Sequence, residues 1–221
     1  MSEAKIIFEN RQDAGRQLAT MLTEYKNKSA IVLTIPNGGV PVAVEVASTL
    51  NAELDLIICR KIPLPLTPEG GFGACANDGT IILDEDVVRR VGLDRQQIEQ
   101  EANKVRAEIK RRILLHKRNR PSMPVTGKTV ILVDDGLASG ITMLAAIASV
   151  SIRRPENIIV AVPCSSIAAA EKVGKAADKL IIYTKGDLPK FTVADYYRDW
   201  HDLNDEDVMW YLRQWHTRQL S

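Results

Sequence analysis

The chain is poor in cysteine and in net charge, and each shortage excludes a class of protein. It has only 3 cysteines in 221 residues, an odd number with no C-x-x-C spacing. This pattern argues against a disulfide framework and against a cysteine zinc site. We therefore expect reduced thiols and a cytoplasmic location. A formal net charge of +1 argues against the electrostatic footprint of a nucleic-acid-binding or membrane-binding protein.

Long hydrophobic runs are also missing. No apolar stretch approaches membrane-spanning length, and residues 1–5 lack the apolar core of a signal peptide. What is present is enough for a folded core, with 45% hydrophobic and 26% charged residues. The length fits one α/β domain, so we predict a single domain over residues 1–221, with no membrane partner and no nucleic-acid partner.

The most informative stretch runs from Val130 to Thr142 and reads VILVDDGLASGIT. It begins with an apolar run typical of a strand buried on both faces. Asp134 and Asp135 follow at the carboxyl end of that strand, and a turn of small residues leads into a segment of strong helix formers.

This order of residues indicates a ligand site. In an open parallel sheet, ligands bind outside the carboxyl ends of the strands. A small-residue turn before a helix directs several backbone amides at one anion, and the helix start adds partial positive charge. Asp134 and Asp135 would repel a phosphate, but they suit sugar hydroxyls or a metal ion. The turn lacks the lysine of a P-loop and the G-x-G-x-x-G spacing of a dinucleotide site.

These residues resemble the PRPP-binding signature of type I phosphoribosyltransferases, where PRPP is 5-phosphoribosyl 1-diphosphate. The resemblance implies that Asp134 and Asp135 are catalytic residues that hold the ribose 2′- and 3′-hydroxyls. It implies Mg²⁺ as the cofactor, held by PRPP and water, with these two acids as the possible protein ligands. It also implies a 5′-phosphate loop made of Gly136, Leu137, Ala138, Ser139, Gly140, Ile141 and Thr142.

A second turn of special residues follows the predicted strand 31–35. There Asn37, Gly38 and Gly39 precede a predicted helix over 42–50, and this arrangement is a second anion-site geometry. Taken alone, it is equally consistent with an ordinary strand-to-helix turn. In the family that the chain resembles, this turn binds pyrophosphate and sometimes contains a cis non-proline peptide. Related sequences often carry a basic residue where Asn37 stands.

The predicted strand 54–59 ends in Arg60 and Lys61, which we expect to neutralise diphosphate charge, with Lys61 as a catalytic residue. The alternative is a solvated cationic pair. Residues 63–78 are rich in proline and glycine and are predicted to be neither helix nor central strand. We predict a flexible catalytic loop over 63–84 that closes with a strand at 80–84, and a surface hairpin is the alternative.

Residues 94–119 are predicted to form the longest helix, because Asp94 and Gln97 make a capping box before one apolar stripe. Its opposite face is basic with interleaved acids, which favours a solvated face or a subunit contact over nucleic-acid binding. Later segments alternate strand and helix, so the predicted fold class is α/β with a doubly wound, mostly parallel sheet.

The segment 187–221 concentrates the few aromatic residues, and the resemblance makes it part of a hood built from the chain termini over the base site. Phe191, Tyr196 and Tyr197 lie where a base could reach them, and Trp210 and Trp215 recur at helical spacing, which favours packing. The segment FTVADYYRDWHDLNDEDV is similar to the tail of a group of stand-alone predicted phosphoribosyltransferases.

The expected function is transfer of the 5-phosphoribosyl group of PRPP to a small nitrogenous base with release of pyrophosphate. The partners are then PRPP and the base, and we expect a homo-oligomer, a dimer. The alternative is a non-catalytic regulator that binds PRPP or a nucleotide in the same pocket. A response-regulator receiver domain ranks last, since no phospho-acceptor Asp follows Ile35 or Cys59. The sequence does not specify the base.

Overall fold

The computed structural model describes residues 6–65, 67–117, 121–186 and 191–219. Within them the chain forms a five-stranded sheet, a three-stranded sheet and the helices that cover them. In chain order the elements are α1 (Arg11–Thr20), β1 (Ala30–Thr34), α2 (Gly39–Leu50), β2 (Glu53–Leu56), β3 (Cys59–Leu64), β4 (Thr67–Ala76), β5 (Ile81–Leu83), α3 (Glu85–Val91), α4 (Arg95–Lys117), β6 (Thr129–Val133), α5 (Ile141–Ser151), β7 (Asn157–Ser166), α6 (Ile167–Gly174), β8 (Lys179–Gly186) and α7 (Asp205–Gln219).

The larger sheet has the strand order β2-β1-β6-β7-β8, and every neighbouring pair is parallel. The predicted α/β class with a mostly parallel sheet is confirmed. The chain runs outward from β1 to β2 on one side and from β6 through β7 to β8 on the other. The switch point therefore lies between β1 and β6, where a crevice opens at the carboxyl ends of the strands.

Local chemistry fixes several helix ends. At the start of α4 the Asp94 amide donates to Gln97 Oε1 at 3.0 Å and the Gln97 amide donates to Asp94 Oδ1 at 2.8 Å. This is the predicted capping box. At the start of α6 the Ser166 hydroxyl accepts from the Ala169 amide at 3.0 Å. Both contacts join residues three apart, so they depend on local sequence alone.

The prediction for residues 63–84 was wrong in one respect. Instead of a loop, residues 67–76 form β4, the middle strand of the antiparallel sheet β3-β4-β5, and the strand predicted at 80–84 is present as β5 (Ile81–Leu83). Glycines allow close strand packing here: a Cβ added at Gly71 would lie 2.5 Å from Lys61 Cδ, and one at Gly73 would lie 2.6 Å from the Ile82 carbonyl oxygen. The alternative, a surface hairpin, is nearer to the structure. Leu66 lies outside the described residues.

The same sheet changes the position of Arg60 and Lys61. They were predicted to follow a strand of the parallel sheet. In the structure β2 ends at Leu56, and both residues lie inside β3. The apolar stripe of α4 packs on this second sheet, with Ala102, Val105 and Ile109 buried in one cluster with Ile62 and Phe72. One side of α4 is therefore core, as the predicted apolar stripe indicates.

Residues 7–8 and residues 196–198 meet beside the parallel sheet. The Ile7 and Phe8 amides each donate to the Tyr196 carbonyl at 3.0 Å, and the Arg198 amide donates to the Phe8 carbonyl at 2.9 Å. Tyr196 and Tyr197 are buried in a small cluster with Phe8. Packing therefore occupies both tyrosine rings, contrary to the expectation that they face a base.

The C-terminal helix α7 packs against α2 and α4. Trp215 is buried there as predicted, but Trp210 is 49% exposed, so the packing prediction for Trp210 was wrong. Residues 187–190 and 220–221 of the predicted hood lie outside the described residues. The predicted homodimer stays a prediction.

Across the described ranges, we find no helix with both the length and the apolar character needed to span a membrane.

Candidate active site

The turn after β1 and the acid pair after β6 lie side by side. Their strands are neighbours, with Thr34 opposite Val133 at the carboxyl ends. The contact between the two turns is close, because a Cβ added at Gly38 would lie 2.0 Å from Asp135 Oδ2, and one at Gly39 would lie 3.0 Å from Asp134 Oδ1. The Pro36–Asn37 peptide bond in this turn is cis. The two groups of residues that the sequence singled out thus form one site.

This contact yields a test of the packing. Gly38→Ala should cost about 1–3 kcal/mol of stability, as overpacking typically does, because its new methyl group overlaps the Asp135 carboxylate. Gly174→Ala is the matched control, since the nearest atom to an added Cβ there is 3.4 Å away. Urea denaturation of both variants measures the difference, and equal stability of Gly38→Ala and wild type would show that the two turns are not in contact.

Asp135 is held by an ion pair with Arg11, a residue of α1 that is 124 positions away in the chain. The Arg11 Nε donates to Asp135 Oδ2 at 2.8 Å, and the two side chains are 6% and 15% exposed. Arg11 Nη1 also donates to the His201 carbonyl at 2.9 Å, and its guanidinium lies 3.7 Å from the ring centre of Trp200. These contacts fix Asp135 in place and neutralise its charge.

The two acids therefore differ in environment. Burial, and then the charge of Asp135, raise the pKa of Asp134 well above its ordinary value. Burial also raises the pKa of Asp135, and the Arg11 guanidinium opposes that rise. Asp134 lines an open cleft, whereas the Asp135 carboxylate is occupied by Arg11 and its backbone carbonyl accepts from the Tyr197 hydroxyl at 2.6 Å. Asp134 Oδ1 accepts from the Asp135 amide at 2.9 Å, and of the two acids only Asp134 lines the cleft.

The turn after the acids leads directly into α5. Gly140 caps this helix with a φ of 75°, a left-handed conformation that favours glycine. The Leu137 amide donates to the Cys164 carbonyl at 2.9 Å and the Leu137 carbonyl accepts from the Ser166 amide at 2.9 Å, which ties the turn to β7. Leu137 is thus buried. Its backbone N–H was predicted to bind the 5′-phosphate, but it donates to the Cys164 carbonyl instead.

Three successive amides of this turn remain available. Among the described residues, Ala138, Ser139 and Gly140 have no hydrogen-bond partner for their backbone N–H groups. The Ser139 hydroxyl accepts from the Ile141 amide at 3.4 Å. Successive free amides at the start of a helix form an anion site.

A cleft of about 500 Å³ lies beside these turns and is lined by Pro36, Asp134 and Thr142 from them. Helix α4 forms its opposite wall with four residues at helical spacing, which sequence analysis did not assign to the site. The periodicity was visible in the sequence, but the pairing of β3 with β4, on which α4 packs, was not. The cleft is lined by Ile35, Pro36, Cys59, Arg60, Lys61, Pro63, Glu101, Lys104, Val105, Glu108, Asp134 and Thr142.

Comparison with known proteins agrees with this geometry. Residues 78–194, more than half of the chain, match the phosphoribosyl transferase domain family. The chain belongs to this family. The match includes the acid pair and the helix-capping turn.

Individual relatives of this phosphoribosyltransferase family member extend the match to nearly the whole chain. The Mycobacterium tuberculosis protein Rv0571c, named provisionally as a phosphoribosyl transferase, is 36% identical over 210 residues, which are 95% of this chain and 47% of that protein. The chain thus spans about half the length of the curated relatives it matches.

Two solved structures are also similar to the protein. The crystal structure of TT1426 from Thermus thermophilus is similar with a TM-score of 0.77 and 35% identity, and covers 95% of this chain and 99% of that chain. AQ2163 from Aquifex aeolicus has a TM-score of 0.52 at 9% identity, over 85% of each chain. The second likeness concerns the fold alone.

The two cationic residues predicted for this phosphoribosyltransferase-family site, Arg60 and Lys61, line the cleft from β3. Arg60 lines the cleft and pairs with Glu108 of α4 at 3.0 Å. Burial, and then the nearby charge of Arg112, lower the pKa of Arg60. The exposed Lys61 side chain passes over Gly71, which leaves room for its methylenes. Both cations thus face the cleft in which Asp134 lies.

The Asn37 side chain is not free to bind a ligand. Its Nδ2 donates to the Leu203 carbonyl at 2.6 Å, and its Oδ1 accepts from Arg112 Nη1 at 2.7 Å. Both polar atoms are therefore engaged by protein, so what this turn offers a ligand is backbone. Arg112, like Arg11, was missed, because neither residue stands near a motif in the sequence.

Proposed function

We propose that the protein is a Mg²⁺-dependent phosphoribosyltransferase that transfers the 5-phosphoribosyl group of PRPP to a nitrogenous base. The observation that carries the proposal is the contact between two turns beside one cleft, which Pro36, Asp134 and Thr142 line. An anion site at Ala138–Gly140, the acid Asp134 and the turn at Gly38–Gly39 meet at the switch point of the sheet. This set offers one partner for each part of PRPP.

We assign the parts of PRPP by charge. The amides of the turn after β6 receive the 5′-phosphate, since they are anion donors at a helix start. Asp134 accepts hydrogen bonds from the ribose hydroxyls. Asp135, which is paired with Arg11, donates its backbone amide to Asp134 and so holds that carboxylate in position. The diphosphate lies at the Gly38–Gly39 backbone, with Arg60 and Lys61 of β3 offsetting its charge.

In the proposed reaction, the bond between ribose C1′ and the diphosphate oxygen breaks with its electron pair leaving on pyrophosphate. The lone pair of a base nitrogen forms the new bond to C1′, and that nitrogen loses its proton to solvent. Positive charge develops on the sugar ring. Burial raises the pKa of Asp134 in the free protein, but this nearby positive charge favours the ionised carboxylate in the complex, which then stabilises the ring by fixed electrostatics. The protein positions the reactants and forms no covalent intermediate.

The residues present fit a magnesium ion carried in with the substrate. The described residues contain no group of three or more His, Cys, Asp or Glu side chains that would hold a metal on their own. Magnesium typically keeps several waters and is bound by one or two carboxylates together with substrate phosphates. Asp134 supplies such a carboxylate beside the diphosphate turn. The bound ion would neutralise charge that develops on the leaving pyrophosphate.

We also infer a cytoplasmic protein, because Cys59, Cys75 and Cys164 are free and buried, as is typical of a reducing compartment.

A base screen tests the proposal. The purified protein is incubated with Mg²⁺ and PRPP against a panel of purine and pyrimidine bases, and released pyrophosphate is measured. We expect release that depends on one base or a small group of bases. No release with any base, together with tight binding of Mg²⁺-PRPP, would instead support the non-catalytic regulator. The neutral, fully engaged Asn37 in the diphosphate turn is the observation that favours that alternative.

A further inference from the structure

A buried arginine lies directly behind the diphosphate turn. Arg112 of α4 donates from Nη1 to Asn37 Oδ1 at 2.7 Å and from Nε to Glu108 Oε1 at 3.2 Å, and its Nη1 lies 3.5 Å from Asp205 Oδ1. Its side chain is 11% exposed. A cation this buried is tolerated only with such partners, so its position is well defined.

Arg112 has no direct access to the cleft. Arg60 lines the cleft and Arg112 does not, although both pair with Glu108. What Arg112 does contact is the Asn37 amide group, whose other end donates to the Leu203 carbonyl. Asn37 is thus clamped between α4 and the segment before α7. The next two residues are the glycines whose amides face the diphosphate in the proposed complex.

We propose that Arg112 is a positioning residue for the diphosphate end of PRPP, acting through Asn37. The guanidinium fixes the Asn37 side chain, and Asn37 fixes the backbone of Gly38 and Gly39. The inference rests on the proposed function, because it concerns how that site holds its substrate. Asn37 carries no charge, so under this proposal the cation that acts on the turn is Arg112, held in place on α4.

A double-mutant cycle tests the inference. Arg112→Met, Asn37→Ala and the double variant are titrated calorimetrically with Mg²⁺-PRPP, Mg²⁺-pyrophosphate and ribose 5-phosphate. Each single change should weaken binding of the two diphosphate ligands about tenfold, the loss expected for one charge-assisted hydrogen bond. The double variant should bind no more weakly than the weaker single variant, since both changes break the same contact. Ribose 5-phosphate, which lacks the diphosphate, should bind as to wild type.

Two further variants sharpen the test. Arg111→Met is the matched control, because Arg111 lies on the same helix and pairs with Asp205 at 3.6 Å, but is 60% exposed and has no contact with Asn37. It should change binding less than twofold. Arg112→Lys keeps the charge and loses the planar fork, so it should show most of the loss while folding more readily than Arg112→Met.

Four outcomes would overturn the inference. Multiplicative losses in the double variant would mean that Arg112 and Asn37 act separately. An equal loss of ribose 5-phosphate affinity with a lowered unfolding temperature would mean that Arg112 only supports the fold. If wild type binds Mg²⁺-PRPP and both Arg112→Met and Arg112→Lys bind it equally well, this inference alone is rejected. If wild type binds none of the ligands, the proposed function is rejected and this inference with it.

Discussion

Arg11→Met should lower the free energy of unfolding by about 3–5 kcal/mol, as expected when one partner of a buried ion pair is removed. The Asp135 carboxylate would then stay buried beside Asp134 without its 2.8 Å partner. The variant would also lose the contact of the guanidinium with Trp200. Urea denaturation monitored by circular dichroism measures the loss, which corresponds to roughly 2–4 °C in melting temperature for each kcal/mol in a chain of this size.

Arg16→Met on the same helix is the control for this prediction. Arg16 is 56% exposed and lies 3.7 Å from Asp13, so its removal should change stability by no more than about 0.5 kcal/mol. The double variant Arg11→Met with Asp135→Leu should recover part of the loss, since no charge is then left unpaired. If Arg11→Met costs no more than Arg16→Met, the ion pair does not hold the acid pair in place.

Asp134→Asn should lower kcat/KM by about 10²–10³-fold, the usual effect of removing one preorganised electrostatic contact to a transition state. It should do so without loss of stability at neutral pH. Burial raises the pKa of Asp134, so the folded state binds a proton that the unfolded chain has released. Wild-type stability therefore falls as the pH rises from about 4 through the raised pKa, and the amide variant lacks this contribution.

Initial rates of pyrophosphate release and denaturation at two pH values measure both parts of this prediction. Asp86→Asn is the control, because Asp86 is 87% exposed on α3 and does not line the cleft. A drop in both activity and stability would indicate a structural role for Asp134. Activity within tenfold of wild type would remove Asp134 from the reaction.

The sequence predicted the parts of the site that depend on local order. An apolar run, two acids and a small-residue turn are adjacent in the chain, so Asp134 and the capping Gly140 need no tertiary information to be recognised. The neighbouring turn at Gly38 was predicted for the same reason. Their meeting followed from the rule that the carboxyl ends of parallel strands share one edge of the sheet.

The parts that the sequence did not predict depend on distant contacts. Arg11 and Arg112 are two of 29 Lys and Arg residues, and nothing within a few positions shows that their partners are Asp135 and Asn37. The glycines of β4 suggested a loop. Gly71 instead leaves room for the Lys61 side chain, and this role becomes visible only when β3 is paired with β4. That pairing places α4 over the cleft.

The central claim is that one cleft at the β1–β6 switch point holds all of PRPP, and a crystal structure of the complex with Mg²⁺ and PRPP tests it most directly. The account predicts the 5′-phosphate on the amides of Ala138–Gly140, the ribose hydroxyls on Asp134 and the diphosphate on the Gly38–Gly39 backbone. PRPP bound outside this cleft, or bound within it with its diphosphate pointing away from Gly38, would contradict the account.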